Sequence, residues 1–297
     1  MRRNVRHAEQ FIKLLVRLLV HRQQGLLPRQ VPLRLHPLTV PWLDSHAHLD
    51  DPDEPPERVD ASLRQLVAAG WPGALTAGYG PERFVRSREI ATAWPVVRRA
   101  VGLHPEYLAR LPDETARQHA LKALRSELDH PTVGALGEIG LDRRYKDVWP
   151  LDEQLAYLEL GLQEAKARRL PVVLHIVGWY GHALDMLRRV GVPHGGAVHR
   201  WSGPVELVPA FEALGLGIAV ALEPRENPEK RHALVRAISA DKLLLETDWP
   251  FLELSYAEAV VQMSHLGTQL AAWRGEAVET LHIRLAENAR RLYHLAP

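Results

Sequence analysis

Two histidines one residue apart, His46 and His48, follow an apolar lead-in in WLDSHAHL (42–49). In an extended segment, side chains two positions apart share a face. Both imidazoles therefore project together, as two ligands of one metal ion must. Alone, the pair is better read as a polar strand end facing solvent. The same pattern recurs along the chain, with a polar residue ending an apolar run. His104 ends GLHP, Glu138 and Asp142 fall in GEIGLD, and His175 follows PVVL. His199 follows GGAV with Arg200 next, and Asp248 follows LLLET.

If the strands are parallel neighbours, these groups converge at one end of them. Burying so many titratable groups without compensation is costly, and divalent cations are the natural compensation. Six ligands exceed the three protein ligands of a mononuclear catalytic zinc site, so a two-metal centre is expected. His46, His48 and Asp248 with Glu138 are assigned to one ion, and His175 and His199 with Glu138 to the other, Glu138 bridging. Imidazole-rich ligation suits Zn, Mn or Fe better than Mg, which prefers oxygen; Mg, Mn and Zn are carried forward as candidates. Such a pair generates hydroxide at neutral pH and binds attacking and leaving oxygens. Asp248 can take the proton of that water. Asp44 is expected behind the ligands, accepting an imidazole N–H.

The elements that would position these residues are legible from residue 40 onward. Strands are expected over 40–49, 73–78, 95–105, 133–142, 171–178, 195–203, 215–223 and 243–250. Helices are expected over 57–70, 151–169, 182–191, 203–215, 228–239 and 275–295, with Gly70, Gly191 and Gly215 placed as helix terminators. Strand–helix alternation of this length describes a parallel (β/α)8 barrel of the TIM type, whose active sites lie at the C-terminal strand ends. No glycine-rich phosphate loop follows the first strand, which argues against an open doubly wound sheet. The 297-residue chain contains no cysteine, excluding disulfides, thiolate metal sites and a Cys nucleophile, and it contains 16 histidines.

The formal charge of +1 conceals an asymmetry. Residues 1–36 carry eight Lys/Arg against Glu9 alone, a net of +7, whereas the remainder carries 29 against 35, a net of −6. The body thus lacks a global basic field for nucleic acid. Residues 1–39 divide off as a basic arm with a proline-containing linker, and 40–297 as a single barrel domain. In the arm, FIKLLVRLLV (11–20) is too short to span a bilayer. As a helix it places Arg6, Gln10, Lys13, Arg17 and His21 on one polar stripe, suited to packing on the body, to a partner or to a membrane surface; the alternative is a segment with no selected role, from an over-extended start.

Through DSHAHLD, GLHPEY, GEIGLDRRY, PVVLH, GAVHRWSG, LLLETDWP and NARRLYHL, in that order, residues 42–294 resemble the TatD-like metal-dependent hydrolases, a deoxyribonuclease branch of the amidohydrolase-type barrels. The resemblance implies a TIM barrel, two divalent metals and phosphodiester hydrolysis, often 3′-to-5′ trimming of DNA. Its metal ligands fall on His46, His48, Glu138, His175, His199 and Asp248. The sequence departs from the family around this centre. His175 is followed by IVGWY rather than by a basic residue, HRWSG replaces HCFSG, and FLELSYAEAV lacks an RNEP-type loop. His104, Arg143, Arg144 and Arg200 are the expected substrate contacts, and DNA ends the expected substrate, with RNA as an alternative. The competing readings are a hydrolase of small amides, lactones or phosphoesters, and a non-catalytic subunit, which would predict eroded ligands. A cytoplasmic enzyme is expected.

Overall fold

Short apolar runs such as Val172–Val177 and Leu243–Leu245 are buried on both faces, as strands between a filled interior and a helical shell must be. In the computed structural model, which describes residues 42–221, 227–250 and 254–295, eight such runs form one sheet. They are β1 (Asp44–Ala47), β2 (Ala74–Thr76), β3 (Val97–Val101), β4 (Val133–Asp142), β5 (Val172–Val177), β6 (Gly196–Val198), β7 (Gly217–Val220) and β8 (Leu243–Leu245). Each pairs in parallel with the next. Asp248 N donates to His46 O at 3.0 Å and His48 N to Trp249 O at 2.7 Å, joining the two ends of the sheet. This is the expected (β/α)8 barrel. The basic arm lies outside the described residues.

The shell contains α1 (Pro56–Ala68), α2 (Phe84–Ala93), α3 (Pro105–Arg110), α4 (Glu114–Leu128), α5 (Leu151–Arg168), α6 (Tyr180–Val190), α7 (Val208–Glu212), α8 (Pro228–Ala237), α9 (Tyr256–Arg274) and α10 (Val278–Leu292). Most strands are shorter than the sequence suggests, because the backbone leaves the ladder at the C-terminal ends. Glu246 and Asp248, for instance, lie beyond β8. The single helix expected over 203–215 is a 3₁₀ turn, Val205–Leu207, followed by the short α7. Pro209 has no N–H to donate, so it sits in the first turn of α7 rather than inside a longer helix. The named helical patterns omitted α2, α3, α4 and α9; α9 buries residues around much of its circumference and lacks a clean apolar stripe. Gly70, Gly191 and Gly215 all have positive φ after their helices.

Inside the barrel a floor layer is built from Leu43, Leu75, Ala100, Ala135, Val173, Ala197, Ala219 and Leu244, with Ala286, Ala289 and Leu292 of α10 closing it from below. No helix among the described residues is long and apolar enough to cross a membrane.

Against α9, α10 buries His282, which is 1% exposed and has no hydrogen-bond partner on either ring nitrogen. The contact is close: a Cβ on Gly267 would fall 2.1 Å from its Nε2. Burial lowers its pKa from 6.5 to about 4, so the folded protein holds it neutral. The unfolded chain binds this proton more readily, so its stabilising contribution is full above pH 6.5 and is lost as pH falls through about 4. A His282→Met protein is expected to lose less stability than wild type between pH 6.5 and 4, by roughly 3 kcal/mol. Urea denaturation across the pH range measures the difference.

Candidate metal centre

The floor layer also sets the site, because inward-facing residues recur every second position. Ala100 leads through Gly102 to His104, Val173 to His175, Ala197 to His199, and Leu244 through Glu246 to Asp248. Register irregularities in β1 and β4 then let His46, His48 and Glu138 join the same inward face. Glycines make room for this. A Cβ on Gly140 would lie 1.7 Å from His175 O, and one on Gly102 would lie 2.3 Å from the carbonyl carbon of Gly137. Gly78 also comes close, exchanging backbone hydrogen bonds with Gly137 and Glu138 at 3.1 and 2.9 Å.

All six residues expected as ligands meet around Glu138, whose side chain is fully buried. Its Oε1 lies 3.5 Å from His46 Nε2 and 3.3 Å from His48 Nε2. Asp248 Oδ1 lies 3.7 Å from each of the same two nitrogens. The other oxygen, Oε2, lies 2.9 Å from His199 Nε2 and 3.3 Å from His175 Nδ1, and these nitrogens are 3.0 Å apart. Groups able to hold a divalent ion thus lie at both oxygens of one carboxylate, His46, His48 and Asp248 beside Oε1 and His104 and His175 with Glu138 itself at Oε2, while His46, His199 and Glu246 form a third. Ligand bonds of about 2.1 Å imply ligand–ligand edges of roughly 3–3.5 Å, close to these separations. Neither Glu138 oxygen has a hydrogen-bond donor, although a buried carboxylate needs compensation. The donor set therefore fits two cations.

The field in the pocket favours positive charge. Burial would raise the Glu138 carboxyl, but the imidazoles of His199, His46 and His104, with His175 alongside, bring it well below its usual range. Burial would lower His199, yet Glu138 and Glu246 push it well above its ordinary value. Glu246 has no exposed surface and lies 3.6 Å from His199 Nδ1, while accepting the Arg200 backbone N–H at 2.6 Å. Its placement was missed in the sequence, although an acid two residues before Asp248, at the end of an apolar run, was a usable signal.

Behind His175, Asp142 Oδ2 lies 3.0 Å from Nε2. Burial would raise the Asp142 carboxyl, but hydrogen bonds from His175 and Arg144 hold it well below the ordinary range. An ionised Asp142 accepts the Nε2 proton and leaves the Nδ1 lone pair aimed at Glu138. Arg144, expected as a substrate contact, instead places its Nε 3.0 Å from both Asp142 oxygens. Arg143 is exposed at the rim.

His104 lies deeper than a rim contact, with Nε2 3.8 Å from Glu138 Oε2 and 3.1 Å from His175 Nδ1. Its Nδ1 caps α3 by accepting Glu106 N–H at 3.0 Å. Burial lowers its pKa well below the usual value, so the neutral ring carries its proton on Nε2. His104 Nε2 is therefore a donor, directed at His175 Nδ1 and at the cavity beside Glu138. Arg200 Nη1 donates to Asp248 Oδ2 at 2.7 Å, which leaves Oδ1 toward His46 and His48.

Asp44 corrects an expectation. Its carboxylate accepts Thr247 N–H (2.9 Å), Thr247 Oγ1 (2.7 Å), Tyr256 OH (2.8 Å) and the backbone N–H of His46 (3.3 Å), and no imidazole N–H. Parallel closure brings the chain after β8 beside β1, so Asp44 ties these two segments together instead of orienting a ring.

A closed parallel barrel with two adjoining cation pockets at the C-terminal strand ends defines a metal-dependent hydrolase. Residues 43–294 match the family model of TatD related DNases, and the chain belongs to that family, whose members act on phosphodiester-type bonds. It is 30% identical over 254 residues to the 3′-5′ ssDNA/RNA exonuclease TatD of Pantoea vagans, covering 80% of this chain and 95% of that protein. It is 31% identical over 225 residues to the uncharacterized metal-dependent hydrolase YjjV of Escherichia coli, covering 72% and 81%. The crystal structure of the E. coli YjjV protein superimposes with a TM-score of 0.75 at 28% identity, covering 86% of this chain and 98% of that one.

Two variants separate the ligands from the backbone that presents them. His199→Ala is expected to weaken binding of one of two ions by about a hundredfold or more, leaving the other measurable by calorimetry on metal-depleted protein. Gly140→Ala is expected to cost about 3 kcal/mol or more, because its φ of +158° and the His175 carbonyl leave no space. Gly70→Ala, with nothing within 4 Å, is expected to cost only about 1 kcal/mol in the same denaturation experiment.

Proposed function

We propose that the protein is a 3′-5′ exonuclease that removes nucleotides from DNA ends, with RNA ends as an alternative substrate, through a two-metal centre. The observation that supports this most strongly is the sharing of Glu138 between two cation pockets. His46, His48, Asp248 and Glu138 would hold one divalent ion, and His175, His199 and Glu138 the other, with Mg, Mn or Zn as candidates. Bound there, the ions supply Lewis acidity toward phosphoryl oxygens and lower the pKa of water.

The side chains perform the remaining work. Asp248 takes the proton of the attacking water, and Arg200 holds its second oxygen so that Oδ1 stays turned to the reacting side. His104 donates its Nε2 proton as a hydrogen bond to a phosphate oxygen, a role that requires the neutral ring. Water's oxygen bonds to phosphorus as the bond to the 3′ oxygen breaks, and that oxygen takes up a proton from solvent, releasing a 5′-nucleotide and a shortened strand. Arg143 at the rim contacts the next phosphate, whereas Arg144 acts through Asp142 to hold His175. Residues 40–297 form the catalytic domain with 1–39 appended, and we place the reaction in the cytoplasm. The mildly acidic body, net −6 beyond residue 36, favours one second reading, hydrolysis of a small amide, lactone or phosphoester at the same centre.

End-labelled single-stranded DNA and RNA, incubated with Mg, Mn or Zn, test the reading. Stepwise shortening from the 3′ end is expected, and intact substrate with two metals bound would sink it. Asp248 has φ +50°, a conformation that Asn tolerates. Asp248→Asn is accordingly expected to lower the rate by about 10²–10⁴-fold with little change in melting temperature.

A further inference from the structure

On the outer wall of the barrel, α1 and α2 leave an open groove of about 400 Å³ between them. Its floor is apolar, formed by Val59, Leu63, Ile90 and Trp94, and Val85 stands 60% exposed on one bank. Glu82 and Glu89 are exposed on the same bank. Neither has a cationic partner within 4.0 Å among the described residues. The cation in the groove, Arg86, is already committed, donating to the backbone carbonyls of Asp51 and Glu54. An apolar trough with unpaired acids along its edge calls for an amphipathic, basic occupant.

We propose that the occupant is this chain's own segment 11–20, FIKLLVRLLV, docked in cis with its leucines and valines in the trough and Lys13 and Arg17 toward Glu82 and Glu89. Three observations support this. The charges are complementary, since Lys13 and Arg17 are the only charged residues of the segment. The point of entry is also adjacent. Trp42, the first described residue, is anchored by its Nε1 to Ser264 of α9 at 2.8 Å, and α9 packs on α1, one bank of the groove. The tether is long enough, because the twenty-one residues 21–41 can span roughly 60 Å when extended. Docking in cis also needs no partner concentration, since a short tether supplies an effective concentration of about the millimolar range.

The absence of native cysteine makes the test direct. In the full chain, Val85→Cys is combined in turn with a cysteine substitution at Phe11, Ile12, Leu14, Leu15, Leu18 or Leu19. The controls pair the same arm positions with Ile283→Cys, an exposed site on α10. Mild oxidation at low protein concentration is followed by non-reducing electrophoresis and mass spectrometry of the linked peptides. The docked arm is expected to give an intramolecular disulfide with Val85→Cys at least about tenfold more efficiently than with Ile283→Cys. Adding Glu82→Lys and Glu89→Lys is expected to reduce that yield severalfold. Equal trapping at both sites, no trapping at any arm position, or chiefly intermolecular disulfides would each overturn the proposal, the last pointing to a second copy. A yield unaffected by the charge reversals would overturn the assigned role of Lys13 and Arg17.

Discussion

A carboxylate with no exposed surface and no hydrogen-bond donor sits within 3.8 Å of five imidazoles, those of His46, His48, His104, His175 and His199. Left uncompensated, such a group would destabilise the barrel by several kcal/mol. Positive charge in the pocket resolves the problem, and the placement of Glu138 decides where that charge lies. One oxygen faces the histidines of β1 and the other those at the ends of β5 and β6. Most other specialised features nearby serve to hold this carboxylate in place or to fix the proton positions of the rings around it.

Backbone economy supports it from below and from the side. The floor residues have small or branched side chains, and two or four steps further along β3, β5, β6 and β8 the same inward face carries a titratable group. Gly78, Gly102 and Gly140 let neighbouring segments approach where any side chain would collide. Asp44 joins the first strand to the segment after the last one through Thr247 and Tyr256. The residues around Glu138 thus rest on a closed ring of backbone, the kind of rigid support a metal centre needs to keep its geometry.

Much of this was legible in the sequence, for a physical reason. Barrel strands are apolar on both faces, so His46, His175, His199 and Asp248 each interrupt a pattern that is otherwise continuous. The strand order then follows from strand–helix alternation alone. Properties that depend on ring orientation or closure were not legible. The donor character of His104 Nε2 follows from Nδ1 capping α3, and Asp142 meets His175 because β4 and β5 run side by side. Asp44 misled because its partners, Thr247 and Tyr256, are about two hundred residues away along the chain. The helix α9 escaped notice because burial around much of its surface erases the stripe that marks a surface helix.

The central claim is that one carboxylate serves two ions. Anomalous diffraction at the manganese edge, from crystals of the Mn-loaded protein, tests it most directly. Two peaks roughly 3.5–4 Å apart are expected, one beside His46 and His48 and one beside His175 and His199, each bonded to a different oxygen of Glu138. A single peak, or a second peak outside bonding distance of Glu138, would contradict the claim.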